Sequence, residues 1–117
     1  MASFLTPEWI AEQNSALLRL STDSTQTWRV VFEWPDGSSS LPHAITMSAD
    51  KGAVSLSVGD HIAADALITL SVSDAEALYS GTLDTAVALR EGRCKVRGDV
   101  SAVVDMANAL RAANANT

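Results

Sequence analysis

The chain has 117 residues, room for one domain whose core takes up roughly two-thirds of the unfolded surface. An apolar fraction of 47% and a charged fraction of 19% are those of a globular protein and exclude disorder except at the ends. A formal net charge of −6 argues against a nucleic-acid partner, which needs a clustered basic surface, and against tight docking on anionic membrane.

Thr6 and Pro7 open a first helix, Thr6 as cap and Pro7 where its missing N–H costs nothing. Trp9, Ile10, Gln13, Ala16, Leu17 and Leu20 then follow a helical stripe, until the polar run Ser21 to Gln26 breaks it. Thr27 to Trp34 alternates as a strand: Trp28, Val30, Phe32 and Trp34 face one way, Thr27, Arg29, Val31 and Glu33 the other. Pro35-Asp36-Gly37 turns the chain. A second strand runs from about His43 to Ala49, with Ile45 and Met47 inward. Asp50-Lys51-Gly52 makes a tight hairpin into a third, with Val54, Leu56 and Val58 inward. After a loop from Gly59 to Asp65, a fourth strand spans about Ala66 to Val72, with Ile68, Leu70 and Val72 inward.

Ser73 and Glu76 read as a capping box for a short helix over Asp74 to Tyr79 that ends at Gly81. Another short helix, about Thr85 to Glu91, stops at Gly92, which suits a left-handed position after a helix. Arg93 to Gly98 is the fifth strand, with Cys94 and Val96 inward. Asp99 caps a last helix, about Val100 to Ala113, whose apolar stripe is Val103, Met106, Ala107 and Leu110. The pattern predicts an α+β fold: an antiparallel-type five-stranded sheet, one face wet and the other under helices.

Three segments carry a family likeness. They are Ala66-Leu67-Ile68-Thr69-Leu70-Ser71-Val72-Ser73-Asp74-Ala75-Glu76-Ala77-Leu78-Tyr79-Ser80-Gly81, then Thr85-Ala86-Val87-Ala88-Leu89, then Arg93-Cys94-Lys95-Val96-Arg97-Gly98-Asp99. Their order resembles the strand, Ser-Asp-x-x-x-Leu, Gly, short helix and x-x-x-Val-x-Gly-Asp of the sterol-carrier-protein-2 family. The likeness covers about Trp28 to Leu110, and the first helix, with Pro7-Glu8-Trp9, looks like that of standalone bacterial members. It implies one such domain over residues 1–117, with its core at about 7–113. It also implies that the five-stranded sheet is mixed, mostly antiparallel, and that an apolar cavity between sheet and helices takes fatty acyl chains, sterols or other lipids. The ligand is then expected against Phe32, Ile45, Met47, Ile68, Leu70, Leu83, Val87, Met106 and Leu110.

The residues leave one question open. Large inward strand residues face helices rich in alanine (Ala75, Ala77, Ala86, Ala88, Ala102, Ala107), which either lets the helices sit close or leaves a gap. An empty void of about 300 Å³ would cost about 7 kcal/mol, so a large gap needs a ligand, a collapse or a partner to fill it. Two functions follow: a non-catalytic lipid-binding module, or an accessory domain with a packed core that dimerises or joins a partner enzyme. In the second, Phe4 and Trp9 are candidate aromatic anchors.

Other chemistry is thin. Cys94 stands alone, so no internal disulfide or Cys-rich metal site is expected, and its inward position reads as a buried thiol. Asp60, His61 and Asp65 could suggest a metal or acid–base site, but loop neighbours rarely converge on one ion, and they read as surface polar residues. No catalytic residue, metal ligand or cofactor is assigned. Tyr79 reads as a half-buried, satisfied tyrosine or as a hydroxyl offered to a ligand headgroup. Arg29, Arg93, Lys95 and Arg97 fall on the wet face, as a solvated surface or as a stripe for a headgroup or acidic partner. No apolar run reaches the roughly 20 residues of a membrane span, Met1 to Thr6 show no leader pattern, and Asn114 to Thr117 is neither a peroxisomal nor a lipidation signal. The expected location is cytoplasmic, with no stable membrane insertion.

Overall fold

A computed structural model of the chain describes residues 4–18, 27–34, 43–51, 53–59 and 63–115. Five strands appear in it: β1 (Trp28–Glu33), β2 (Ala44–Asp50), β3 (Ala53–Val58), β4 (Ala66–Leu70) and β5 (Cys94–Gly98). Four helices accompany them: α1 (Pro7–Leu18), α2 (Val72–Ser80), α3 (Thr85–Arg90) and α4 (Val100–Ala115). The sheet order is β3-β2-β1-β4-β5, with β1 and β4 parallel at its centre and every other pair antiparallel.

Alternation places the core. Phe32 lies opposite Ile45 on one side and beside Ile68 on the other, and Val30 opposite Met47, so the bulky residues of three strands share one face. All five are fully buried. α4 crosses β1 and β4 and brings Val103, Met106 and Leu110 of its stripe into the core cluster, while Ala107, though buried, is not part of it. Each large side chain so buried contributes about 1.5–3 kcal/mol relative to exposure.

Side chains tie the elements where the backbone alone would not. Asn14 on α1 donates its amide to the Leu56 carbonyl (2.9 Å) and accepts from the Leu56 N–H (2.7 Å), pairing with the free edge of β3 as a strand would. Asp65 stitches three strands. Its N–H donates to the Arg29 carbonyl, its carboxylate accepts from the Arg29 N–H (2.8 Å), and its carbonyl accepts from the Asp99 N–H (2.8 Å). That carbonyl sits where a Cβ of residue 98 would be, and Gly98 has φ +99°, so only glycine fits there. Asp99 then caps α4, as expected, accepting from the Ser101 N–H (2.9 Å). Thr6 likewise accepts from the Trp9 N–H (3.2 Å) at the start of α1, and Gly92 is left-handed (φ 73°) after α3.

Four expectations need correction. The second face of the sheet is not wet throughout: Val31 is 2% exposed, and Ala44 and Thr46 are buried beside it. The Thr46 hydroxyl on that face donates to the Gly59 carbonyl (2.7 Å), so the chain leaving β3 is fastened there. Val58 keeps register with Ile45 but is 57% exposed at the end of the outermost strand, where pairing outlasts cover. Val72 belongs to α2 and not to β4, and Ser71 rather than Ser73 is its cap. The Ser71 backbone is extended and its hydroxyl accepts from the Asp74 N–H (3.1 Å). Trp9 is buried, so it is core and not an exposed anchor. In the hairpin the left-handed residue described is Lys51 (φ 51°). The readings made of Leu20, Ser21 to Gln26, Pro35-Asp36-Gly37, Gly52, Asp60 and His61 lie outside the described residues.

Candidate ligand groove

The short connection between α2 and α3 leaves space against the second half of α4. α2 ends at Gly81, whose left-handed backbone (φ 83°) closes the helix. Three residues on, Asp84 caps α3 by accepting from the Ala86 N–H (3.1 Å). The chain between them stands off from α4, and a groove of about 330 Å³ opens there. That volume is at the lower end of the usual range for small-molecule sites, about 300–1,000 Å³. Leu78, Leu83, Ala107 and Leu110 give it apolar walls, and Gly81, Asp84, Thr85 and Arg111 complete them.

An ion pair spans the groove's lining. The Arg111 guanidinium donates from Nε to Asp84 Oδ1 (2.9 Å) and from Nη2 to Oδ2 (3.3 Å), while Nη1 reaches Asn108. The hydrogen bond from Arg111, helped by the N–H groups at the start of α3, holds the Asp84 carboxyl below the usual carboxylate range. Both side chains remain substantially exposed, so water screens the pair. Apolar walls with a polar, charged edge suit an amphiphile: hydrocarbon on the leucines, oxygen near the pair.

A second feature lies on the neighbouring face of α2. Tyr79 stands among Phe32 (ring centroids 5.3 Å), Trp9 (5.4 Å) and Phe4 (6.4 Å), and Phe4 also meets Trp9 edge-on at 4.7 Å. It is neither half-buried nor satisfied. The residue is 4% exposed, its hydroxyl has no hydrogen-bond partner, and burial pushes its pKa well above the ordinary tyrosine value.

Of the residues expected to line a ligand site, Leu83 and Leu110 line this groove. Phe32, Ile45, Met47, Ile68 and Met106 are fully buried, Leu70 nearly so, and Val87 is half-buried against the same core. Gly81, Asp84, Thr85 and Arg111 were not foreseen in the lining, and neither were Leu78 and Ala107. The Asp84 capping position was a signal for the first three, but nothing in the sequence pairs it with a residue 27 positions on. Cys94 is buried, which raises its thiol pKa, with the Asp74 charge adding to the effect. Arg93 pairs with Glu91 (3.2 Å), Lys95 and Arg97 are exposed on β5, and Arg29 is half-buried beside Asp65. Among the described residues no three His, Cys, Asp or Glu side chains converge as metal ligands, and no helix is long and apolar enough to cross a membrane.

A mixed sheet in this order, roofed by α4 and with two short helices before the last strand, defines a sterol-carrier type of fold. The chain belongs to the SCP-2 sterol transfer family, whose model matches residues 12–111. No curated relative matches it. Among solved structures it is similar to a sterol carrier protein 2, with 17% identity over 96% of this chain and 98% of that one (TM-score 0.68). It is also similar to the palmitated SCP2L2 of Aedes aegypti, 17% identical over 94% and 95% (TM-score 0.58). A third likeness is to the stereoselective inverting sec-alkylsulfatase Pisa1 of Pseudomonas sp., 20% identical over 90% of this chain (TM-score 0.66). There the chain spans only 16% of the enzyme's length.

Proposed function

We propose that the protein is a non-catalytic module that binds or transfers one lipid-like molecule. The observation that carries this reading is the groove between the α2–α3 connection and α4, with apolar walls from Leu78, Leu83, Ala107 and Leu110 and the Asp84–Arg111 pair in its lining. Family membership and the likeness to a palmitated protein support it. The hydrocarbon would lie on Leu83 and Leu110, over the packed core that Phe32, Ile45, Met47, Ile68, Leu70, Val87 and Met106 help form. Burial of its surface, about 25 cal/mol per Å², is the driving force, and no covalent step or cofactor is required.

Native mass spectrometry of gently purified protein and displacement of a fluorescent fatty acid test this directly. The expected result is a lipid adduct, with displacement at micromolar concentrations. Ala107→Phe places a ring in the groove from a wall residue and is expected to weaken binding more than tenfold while the protein stays folded. Absence of both adduct and displacement removes the carrier role.

The alkylsulfatase likeness favours a second reading, in which the domain serves a larger assembly. Val100 and Val104, exposed on one side of α4, would then help make the contact. A mass in solution that rises with concentration would support it, and a strict monomer without a co-purifying partner would not.

A further inference from the structure

The two edges of the sheet differ. At β3 the Asn14 side chain of α1 occupies the edge. β5, at the other end of the strand order, pairs with β4 alone. The Asp99 N–H donates to the Asp65 carbonyl, so alternation turns the backbones of Arg97 and Lys95 towards Leu67 and Thr69 of β4. The N–H and C=O of Val96 then point away from the sheet. Among the described residues nothing bonds to them from that side.

Charge is concentrated at the same edge. Arg90, Arg93, Lys95 and Arg97 are four of the chain's eight Lys and Arg residues, and Glu91 is the one acid among them, in a chain of net charge −6. Glu91 pairs with Arg93. Arg90, Lys95 and Arg97 are exposed and make no ion pair among the described residues.

We propose that β5 is a docking edge for an acidic, extended segment of a partner protein, which adds to the sheet as a further strand. Main-chain bonds to Val96 would hold the segment, and carboxylates on alternate residues would meet Lys95 and Arg97. A second copy of the chain does not suit this edge. Antiparallel pairing of β5 with itself about Val96 would set Lys95 against Arg97 of the other copy, and like charges directly opposite are destabilising. An anionic membrane offers the charge but no row of N–H and C=O groups, and the acidic remainder of the chain would be repelled from it. The inference stands apart from the lipid-binding reading, since β5 lines no part of the groove.

The probe is a capped peptide of three glutamates alternating with two valines, added to the intact, isotope-labelled protein. Alternation sets its glutamates opposite Lys95 and Arg97 and a valine opposite Val96. The expected result is a set of amide shifts centred on Cys94–Gly98, with hydrogen exchange at the Val96 amide slowed about tenfold or more at saturation. The same peptide with lysine for glutamate, and the peptide N-methylated at both valines, are expected to bind at least about tenfold more weakly. Lys95→Glu combined with Arg97→Glu, both at exposed positions, is expected to reverse the choice between the acidic and the basic peptide. Equal binding of the N-methylated peptide would reduce the contact to charge alone and overturn the strand addition. Shifts centred away from β5, no binding at millimolar peptide, or dimerisation of the free protein through β5 would overturn it as well. So would docking of β5 on phosphatidylserine vesicles in place of the peptide.

Discussion

Gly98 shows how much a single atom decides. A Cβ there would collide with the Asp65 carbonyl, the group that accepts the Asp99 N–H and so joins β4 to the start of α4. Gly98→Ala is expected to cost at least about 1–3 kcal/mol from the backbone conformation alone, with the collision added, and equilibrium urea unfolding measures it. The Gly-Asp pair was legible in the sequence as a motif, but its reason was not, because Asp65 lies 33 positions away. Asp84 was equally hidden as a partner of Arg111. Its carboxyl is held below the usual value of about 3.9, so its contribution to stability is present above that value and is lost as pH falls through the lowered one. Asp84→Asn keeps a capping side chain and loses only the pair. It is therefore expected to be nearly neutral at pH 7 and to flatten the acid limb of a pH–stability profile, by a small amount because the pair is exposed. Asp84→Ala removes the cap as well, at about 1 kcal/mol.

Elements read well from the chain where one face decides and poorly where neighbours do. Period-two alternation placed every strand to within a residue or two, and the stripe of α4 was legible because it meets a single apolar surface. Val31 was misread as wet because alternation reports which way a side chain points, not what lies over it. Val72 was misread as strand because a β-branched residue between Leu70 and Ser73 continues the alternation, while the hydroxyl of Ser71 caps the helix first. The parallel pairing of β1 with β4 was invisible, since register between strands over 30 residues apart leaves no local mark. Nor could the sequence show that a helix closes the sheet's edge. Asn14 supplies the edge strand with both a donor and an acceptor, and Asn14→Ala leaves the Leu56 N–H and C=O to water or to another chain. The expected cost is about 1–2 kcal/mol. Faster hydrogen exchange at the Leu56 amide and greater self-association at high concentration should accompany it. Unchanged exchange at Leu56 would mean that the side-chain pairing is not made in solution.

For the whole molecule the question is where a fold of this size can keep open space. A domain is stable by only about 5–15 kcal/mol, and a closed void large enough for a ligand would take several of these. The groove avoids that cost because it opens to water between the α2–α3 connection and α4, away from the sheet residues that carry the core. Alanines on the facing helices left both outcomes open in the sequence. Ala75, Ala88 and Ala102 are buried against the core, whereas Ala107 is a wall of the groove. Space at the periphery also links ligand to stability. A ligand that binds only the folded chain stabilises it by about 2.7 kcal/mol at 100 times its Kd. At about 3–5 °C per kcal/mol for a chain of this length, the Tm should rise by about 10 °C. Scanning fluorimetry with the ligand found by native mass spectrometry measures the rise, and Ala107→Phe should abolish most of it without lowering the ligand-free Tm. A Tm that stays put at saturating ligand would mean that the molecule found does not bind the folded chain, and the groove would lose its claim to it.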